Sequence, residues 1–529
     1  MRLPRAIARP ARYGALAGGA LPLLAFPAPN LEILAWFGLV PGLLLIQRSP
    51  SAREAAVRGW WLGTGYLVAA LYWLSPEIGP AVLIVAIVFG VLLAPFGVAV
   101  WALLRPPVTA GRALAALVVV PSCWLLTEWI RSWQGLGGPW AVLGASQWQH
   151  PAMLALASIG GVWLISFALV AVNVAILIAV VSRRSASRLA AGAAGAAVVA
   201  AGPLAFALTP AAPAVRTVTI ALVQPGIVSN PVLSVDASQR LTARLSRGGR
   251  LSRVRPNLIV WGESSVAFHL QSDRSLLTSI EALSAADGAQ ILVNQDSVIN
   301  GRHSKVAVLV GRSGIDGTYL KTRLVPFGEY IPFRSALSWL TRISRAAPVN
   351  MTPGNGAHVL QVTEPGGRRL TIGPLICFES AFPDMSRVDT DHGAQVIIYQ
   401  TADSTFQGTW ALAQHASLDA LRAAETGRPV VQAALTGDSV AFDQRGRLLA
   451  WMGQNQHGVE VIRLSLPAVS ARTPYDRFGD YVPWTAVGIA ALAALIALIR
   501  KRDYQHGKGG AAGSSEAEYD TESGLNVSG

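Results

Sequence analysis

The chain has 529 residues, 52% of them apolar and only 14% charged, with a formal net charge of +13. That length is enough for more than one domain. Such an excess of positive charge fits nucleic acid or anionic lipid, but the sequence holds no nucleic-acid module and no Walker-type glycine loop, and the basic residues flank apolar stretches, which points to a membrane.

Seven apolar stretches fill the first two hundred positions, at about 13–26, 31–46, 60–74, 81–104, 113–130, 153–181 and 189–208, and an eighth lies at 484–499. A helix needs about 20 apolar residues to cross a hydrocarbon core, so the first three are short. The basic residues test the count, because cytoplasmic loops are rich in Lys and Arg. Arg2, Arg5, Arg9 and Arg12 precede the first stretch, and Arg48, Arg53 and Arg58 lie between the second and third. Arg105 and Arg112 follow the fourth, Arg183, Arg184 and Arg188 follow the sixth, and Arg500, Lys501 and Arg502 follow the last. Every second loop is basic, while the alternate short loops carry little more than Arg131. This predicts a multi-pass membrane protein with both termini cytoplasmic. The expected division is a seven-helix membrane domain at 1–209, an extracytoplasmic domain at 210–483, a C-terminal membrane helix at 484–502 and a disordered cytoplasmic tail at 503–529. A signal peptide is the alternative for the first stretch and leaves the later orientation unchanged. Charge is nearly absent from the stretches apart from Glu128, at the outer end of the fifth, which argues against an ion path.

From about 215 to 466 short β-rich runs alternate with helical ones. "VTIALVQP", "NLIVWGES", "AQILVNQD", "KVAVLVG", "LTIGPLIC", "AQVIIYQT" and "PVVQAAL" read as mostly buried strands. "LLTSIEALSAADG" and "WALAQHASLDALRAAETG" read as helices that end in Gly. The region is therefore an α/β domain.

The two cysteines are Cys123, inside the fifth stretch, and Cys377, in the external domain, so no disulfide joins them. An unpaired thiol in an oxidising compartment is either buried or used. Three strand ends carry reactive groups: "IVWGESS" holds Glu263, "YLKTRLVPFGEYIPF" holds Lys321 and Glu329, and "LICFES" holds Cys377 and Glu379. Singly, each has a plain structural explanation as a solvated edge or cap, an exposed lysine, or a core thiol.

Taken together, Glu263, Lys321 and Cys377 in that order resemble the nitrilase, or carbon–nitrogen hydrolase, superfamily. "WGES", "LVPFGEYIP" and "CFES" on a domain bracketed by membrane spans resemble its membrane branch, the apolipoprotein N-acyltransferase family, as does the loop "TEWIRSWQGLGGPWAVLGASQW" at 127–148. The resemblance implies an αββα sandwich beside about eight membrane helices, with Glu263, Lys321 and Cys377 as catalytic triad and Glu329, Phe378 and Glu379 in support. It implies a phospholipid acyl donor, a thioester on the cysteine, and as acceptor the amine of a diacylated apolipoprotein, with no cofactor. Chemically, Glu263 is the base that takes the thiol proton. Lys321 and a backbone N–H near Cys377 stabilise the oxyanion, and Glu329 and Glu379 add negative charge that favours proton uptake nearby.

One departure is that "TADSTFQG" keeps Asp403 and Phe406 but lacks the Asn and Trp of the family's usual motif. It motivates the alternative of a catalytically weak lipoprotein-binding scaffold; the rival among enzymes is a membrane-tethered amidase using the same triad on a small amide. The stretch at 240–255, "RLTARLSRGGRLSRVR", reads as a contact for anionic headgroups or as a solvated helix face. The eight histidines show no metal-ligand spacing.

Overall fold

Helices occupy each of the eight apolar stretches in the computed structural model, which describes residues 5–226, 231–247, 255–266, 269–299, 301–342, 347 and 349–519. Five are long and apolar enough to cross a membrane: Ala81–Leu104, Ala110–Arg131, Pro151–Val181, Ser185–Leu208 and Tyr481–Arg500. The other three differ for visible reasons. Arg5–Ala20 passes into a 3₁₀ turn at Leu21–Ala25, and the second stretch is split into Glu32–Trp36 and Val40–Gln47. Ala52–Leu71 opens with charged residues, two of them in a network in which Glu54 accepts from Arg12 at 2.7 Å and from Arg58 at 3.1 Å. One carboxylate between two guanidiniums therefore ties the first and third helices at their basic end.

The last helix continues to Tyr519, through much of the tail expected to be disordered. Once a helix is nucleated, each added residue costs little, so the apolar segment carries it onward. Residues 520–529 lie outside the described residues, as do 248–254 of the basic stretch, whose first part forms the end of the helix Pro231–Arg247.

Among the described residues, twelve strands form two six-stranded sheets. In chain order they are β1 (Ala214–Gln224), β2 (Leu258–Trp261), β3 (Gln290–Ile299), β4 (Arg302–Gly311), β5 (Gly314–Leu320), β6 (Leu360–Thr363), β7 (Arg369–Ile376), β8 (Val396–Thr401), β9 (Val430–Ala434), β10 (Ser439–Phe442), β11 (Leu448–Met452) and β12 (Gly458–Pro467). The first sheet runs β12-β1-β2-β3-β4-β5 and the second β11-β10-β9-β8-β7-β6. In each, three central strands are parallel (β1-β2-β3 and β7-β8-β9) and the flanking pairs antiparallel. Parallel strands covered on both faces become continuous apolar runs, which is why "LIVW" and "VIIYQT" are buried throughout. The sequence reading missed β5, β6, β10, β11 and β12, the outer strands of both sheets, whose runs are short or broken by polar residues.

The sheets meet face to face. Gln400 in β8 donates to the carbonyl of Trp261 at 2.8 Å, and Asn294 in β3 donates to Gln400 at 3.5 Å. Leu258, Val260 and Leu292 share a core with Ile372, Ile398 and Val431. The helices Arg274–Asp287 and Ala411–Thr426 form where expected and end at Gly288 and Gly427, both in the left-handed region.

This sandwich is seated on the membrane helices. Glu425 accepts from the N–H of Val162 at 2.8 Å where Pro151–Val181 is kinked at Gly160 and Gly161. Trp163 donates to Asp480 at 2.9 Å, the N–H of Trp410 donates to the Tyr72 hydroxyl at 2.8 Å, and Gln414 donates to the Pro27 carbonyl at 2.9 Å.

Candidate active site

Glu263 leaves β2 through Gly262, where the two sheets touch: a Cβ at Gly262 would lie 2.0 Å from the backbone N of Leu435. Only a residue without a side chain lets the strand end there. The N–H of Glu263 donates to the Thr401 carbonyl at 3.1 Å, and the next N–H, of Ser264, donates to Asn294 at 3.0 Å. The carboxylate is thus carried on a backbone anchored to both sheets.

Lys321 follows β5 and is fully buried. Its ammonium donates to Glu263 at 3.0 Å and to Glu329 at 2.6 Å. Glu329 comes from the proline-interrupted loop, and its second oxygen accepts from the N–H of Val325 at 2.8 Å, so the loop curls back on itself. Burial pushes the Lys321 ammonium towards neutrality, but Glu263 and Glu329 outweigh it and hold its pKa well above the usual lysine value. Lys305 adds a second cation in the field of Glu263, bonded to Asp296 at 2.6 Å and to Ser264.

Cys377 stands at the end of β7, where the strand turns into a single 3₁₀ turn, Cys377–Ala381. Its φ of +52° lies in the left-handed region that costs a non-glycine residue energy. Burial raises the thiol pKa well above its usual value, Glu263 raises it further, and Lys321 only partly opposes this. The resting group is therefore a neutral thiol.

Glu379 is fully buried beside this turn. One oxygen accepts from the N–H of Ile376 at 2.7 Å; the other accepts from the N–H groups of Thr322 at 2.7 Å and Arg323 at 3.0 Å and from the Tyr319 hydroxyl at 2.8 Å. Four donors absorb its charge. It braces the Cys377 turn against the Lys321 segment. Phe378 is buried against Trp140, with ring centroids 6.3 Å apart, and against Phe382 at 5.4 Å.

Trp140 belongs to the loop at 127–148, which reaches the site through Gly138. With φ +81°, that glycine lies so close that an added Cβ would meet Phe382 at 2.6 Å and Phe378 at 3.1 Å. Glu128 holds the loop in place by accepting from the Leu143 N–H at 2.7 Å and the Trp124 indole at 2.8 Å. Between this loop and the helices lies an almost wholly apolar cavity of about 330 Å³, lined by Leu67, Trp73, Val88, Trp140, Phe327 and Phe378 among others.

Two residues that the sequence reading did not place in the site also meet Cys377. His415 lies on Ala411–Thr426 with Nδ1 at 3.1 Å and 3.2 Å from the Asp403 oxygens and Nε2 at 3.1 Å from the Cys377 carbonyl. Cys377, Asp403 and His415 place ligand atoms within 4.8 Å of one another. Both ring nitrogens are engaged within the protein, Nδ1 by Asp403 and Nε2 by the Cys377 carbonyl. The signal in the sequence was a lone His in an amphipathic helix, which reads as an ordinary buried position.

Residues 18–175 match the family described as Apolipoprotein N-acyltransferase N-terminal domain, and residues 285–472 match Carbon-nitrogen hydrolase. The Apolipoprotein N-acyltransferase of Chlorobaculum tepidum is 28% identical over 93% of this chain and 96% of its own. Among solved structures, Saccharomyces cerevisiae Nit3, a member of branch 10 of the nitrilase superfamily, is 14% identical with a TM-score of 0.35 over 48% of this chain and 91% of its own, and nothing below rests on that likeness. The Apolipoprotein N-acyltransferase of Allorhizobium ampelinum is 31% identical over 91% of this chain and 94% of its own. With both segments matched and that identity sustained across nearly the whole length, the chain belongs to the apolipoprotein N-acyltransferase family.

Proposed function

We propose that the protein moves an acyl chain from a membrane phospholipid to the N-terminal amine of diacylated apolipoproteins, through a thioester on Cys377. The observation that carries this reading is the position of the Cys377 turn. On one side lies a buried Lys321 held by two carboxylates; on the other, Phe378 lines an apolar cavity walled by membrane helices. An amidase acting on small amides needs no such cavity.

In the first half-reaction Glu263 takes the Sγ proton and the sulfur attacks the ester carbonyl. Negative charge grows on the carbonyl oxygen, where the Lys321 ammonium and the Phe378 N–H stabilise it. The ester C–O bond then breaks, the leaving oxygen takes the proton held by Glu263, and a lysophospholipid departs. In the second half-reaction the free amine attacks the thioester and yields its proton to Glu263. The C–S bond breaks, and the returning proton regenerates the thiol. A site closed by aromatic residues excludes water, so the amine meets little competition from hydrolysis.

Both substrates keep their chains in the bilayer, which fits a sandwich seated on the membrane helices. The basic-loop pattern supports an extracytoplasmic sandwich with both termini cytoplasmic. The test is intact mass of the purified protein in phospholipid micelles. A hydroxylamine-sensitive gain of one acyl chain, absent from Cys377→Ala, is expected; folded protein with neither adduct nor released fatty acid overturns the reading.

A further inference from the structure

His415 and Asp403 take no part in the steps above, yet they touch the reacting turn. Nε2 of His415 faces a carbonyl oxygen, which only accepts, and Nδ1 faces a carboxylate, which also accepts. With Asp403 ionised both nitrogens donate, and the ring is an imidazolium. It is 3% exposed, and one of its nitrogens lies within 4.8 Å of Cys377 Sγ. A buried cation here needs its counter-ion, and Asp403 supplies it in a bond to the ring at 3.1 Å.

The carbonyl that His415 holds belongs to the Cys377–Phe378 peptide. That unit is planar and trans, so its C=O and N–H point in opposite directions. Fixing the oxygen fixes the N–H. Cys377 sits at φ +52°, a conformation that persists only when its surroundings over-determine it. Glu379 secures the turn from the Ile376 side at 2.7 Å, and His415 secures it from the Cys377 carbonyl at 3.1 Å.

We infer that His415, held by Asp403, is a positioning residue for acyl transfer. Its Nε2–H locks the Cys377–Phe378 peptide so that the Phe378 N–H serves as an oxyanion donor, and its buried positive charge favours the negative charge that develops at the sulfur and the ester oxygen. This rests on Cys377 being the nucleophile, as proposed above. The charged and titratable groups facing the ring are Asp403 from the segment after β8, Asp419 one turn along its own helix, and Cys377 itself; Trp140 of the loop at 127–148 covers it at 6.0 Å. Burial alone pushes the imidazole down, but Asp403 outweighs it and lifts the pKa to about 9. The charge therefore persists at neutral pH and is lost above about pH 9.

The experiment follows adduct formation by intact mass from pH 6 to 10. It uses the full-length protein in phospholipid micelles, with His415→Ala, His415→Gln, Asp403→Asn and Cys377→Ala, and a melting curve for each. His415→Ala is expected to slow thioester formation about 10- to 100-fold with little change in KM. His415→Gln keeps an N–H for the carbonyl but no charge, so it recovers part of the rate and loses the alkaline fall that the unaltered protein shows above about pH 9. Asp403→Asn moves that fall to lower pH. If His415→Ala does not fold, His415→Gln and Asp403→Asn decide. Variants that acylate at the original rate with the original pH profile overturn the inference, as do variants whose rates fall only in step with their melting temperatures. An unaltered protein that forms no adduct sinks the nucleophile reading itself, a different result from an intact adduct indifferent to His415.

Discussion

The Lys321 ammonium lies 2.6 Å from Glu329, closer than its 3.0 Å contact with Glu263. On the proposed route Glu263 takes up a proton, and there the difference matters. Were Glu263 the sole partner, that event would leave a bare cation in a buried site. Glu329 keeps the ammonium paired throughout, so the base can change its charge without unpinning the lysine.

Glu329→Gln removes one of the two carboxylates that hold the Lys321 pKa up. The ammonium then gives up its proton at lower pH, so a second alkaline limb, set by Lys321 and separate from the His415 fall near pH 9, shifts downward. A loss of about 10- to 100-fold at neutral pH accompanies it, at the lower end of what one preorganised electrostatic group contributes. A pH–rate profile checks this, and an alkaline limb identical to the unaltered protein's counts against it.

Lys321→Met leaves Glu263 and Glu329 buried without their cation. Stripping one member from such a cluster costs about 3–5 kcal/mol, read as a fall in melting temperature, and adduct formation is expected to vanish. Lys321→Arg does not restore it, because a planar fork cannot fill a site shaped for an ammonium. A Lys321→Met protein that melts normally and acylates contradicts the assignment.

Burial and Glu263 together raise the Cys377 pKa. In the resting protein iodoacetamide is therefore expected to label Cys377 slowly at pH 7 to 8 and progressively faster beyond pH 9. Mass spectrometry resolves it from Cys123, with Cys377→Ala as the blank. Rapid labelling that levels off near neutral pH means that a stable thiolate exists and the base is unnecessary.

Gly138→Ala places a methyl 2.6 Å from Phe382 at a position of positive φ. Gly137 also has positive φ, +107°, but nothing lies within 4 Å of its added Cβ. Comparing the two substitutions separates backbone strain, about 1–2 kcal/mol, from contact. Adduct formation is expected to fall about tenfold in Gly138→Ala and to change much less in Gly137→Ala; equal effects mean that the loop does not shape the site through Phe378 and Phe382.

Much of this molecule is written in local pattern. Apolar length and the alternation of Arg-rich loops mark helices at eight places, and buried strands such as "LIVW" and "VIIYQT" announce themselves because a parallel strand covered on both faces must be apolar throughout. Glu263 and Cys377 were legible because each closes such a strand, whereas Lys321, after the edge strand β5, stood out only through the motif "LVPFGEYIP" and the resemblance it carries. The outer strands β5, β6 and β10 to β12 were not, since their pattern is set by neighbours the sequence does not name.

The sequence by itself determined which segments are apolar enough for a membrane, which are central strands, and which three strand ends carry reactive groups, because those properties depend on residues close together along the chain. Only the tertiary structure decided what each group meets. It put Glu329 on the Lys321 ammonium, turned Glu379 to four donors, pressed Gly138 against Phe382 and Phe378, and carried His415 from 38 positions away to the Cys377 carbonyl. Such contacts rest on single residues with no periodicity, and their energies exist only once two sheets and a set of helices have closed around them.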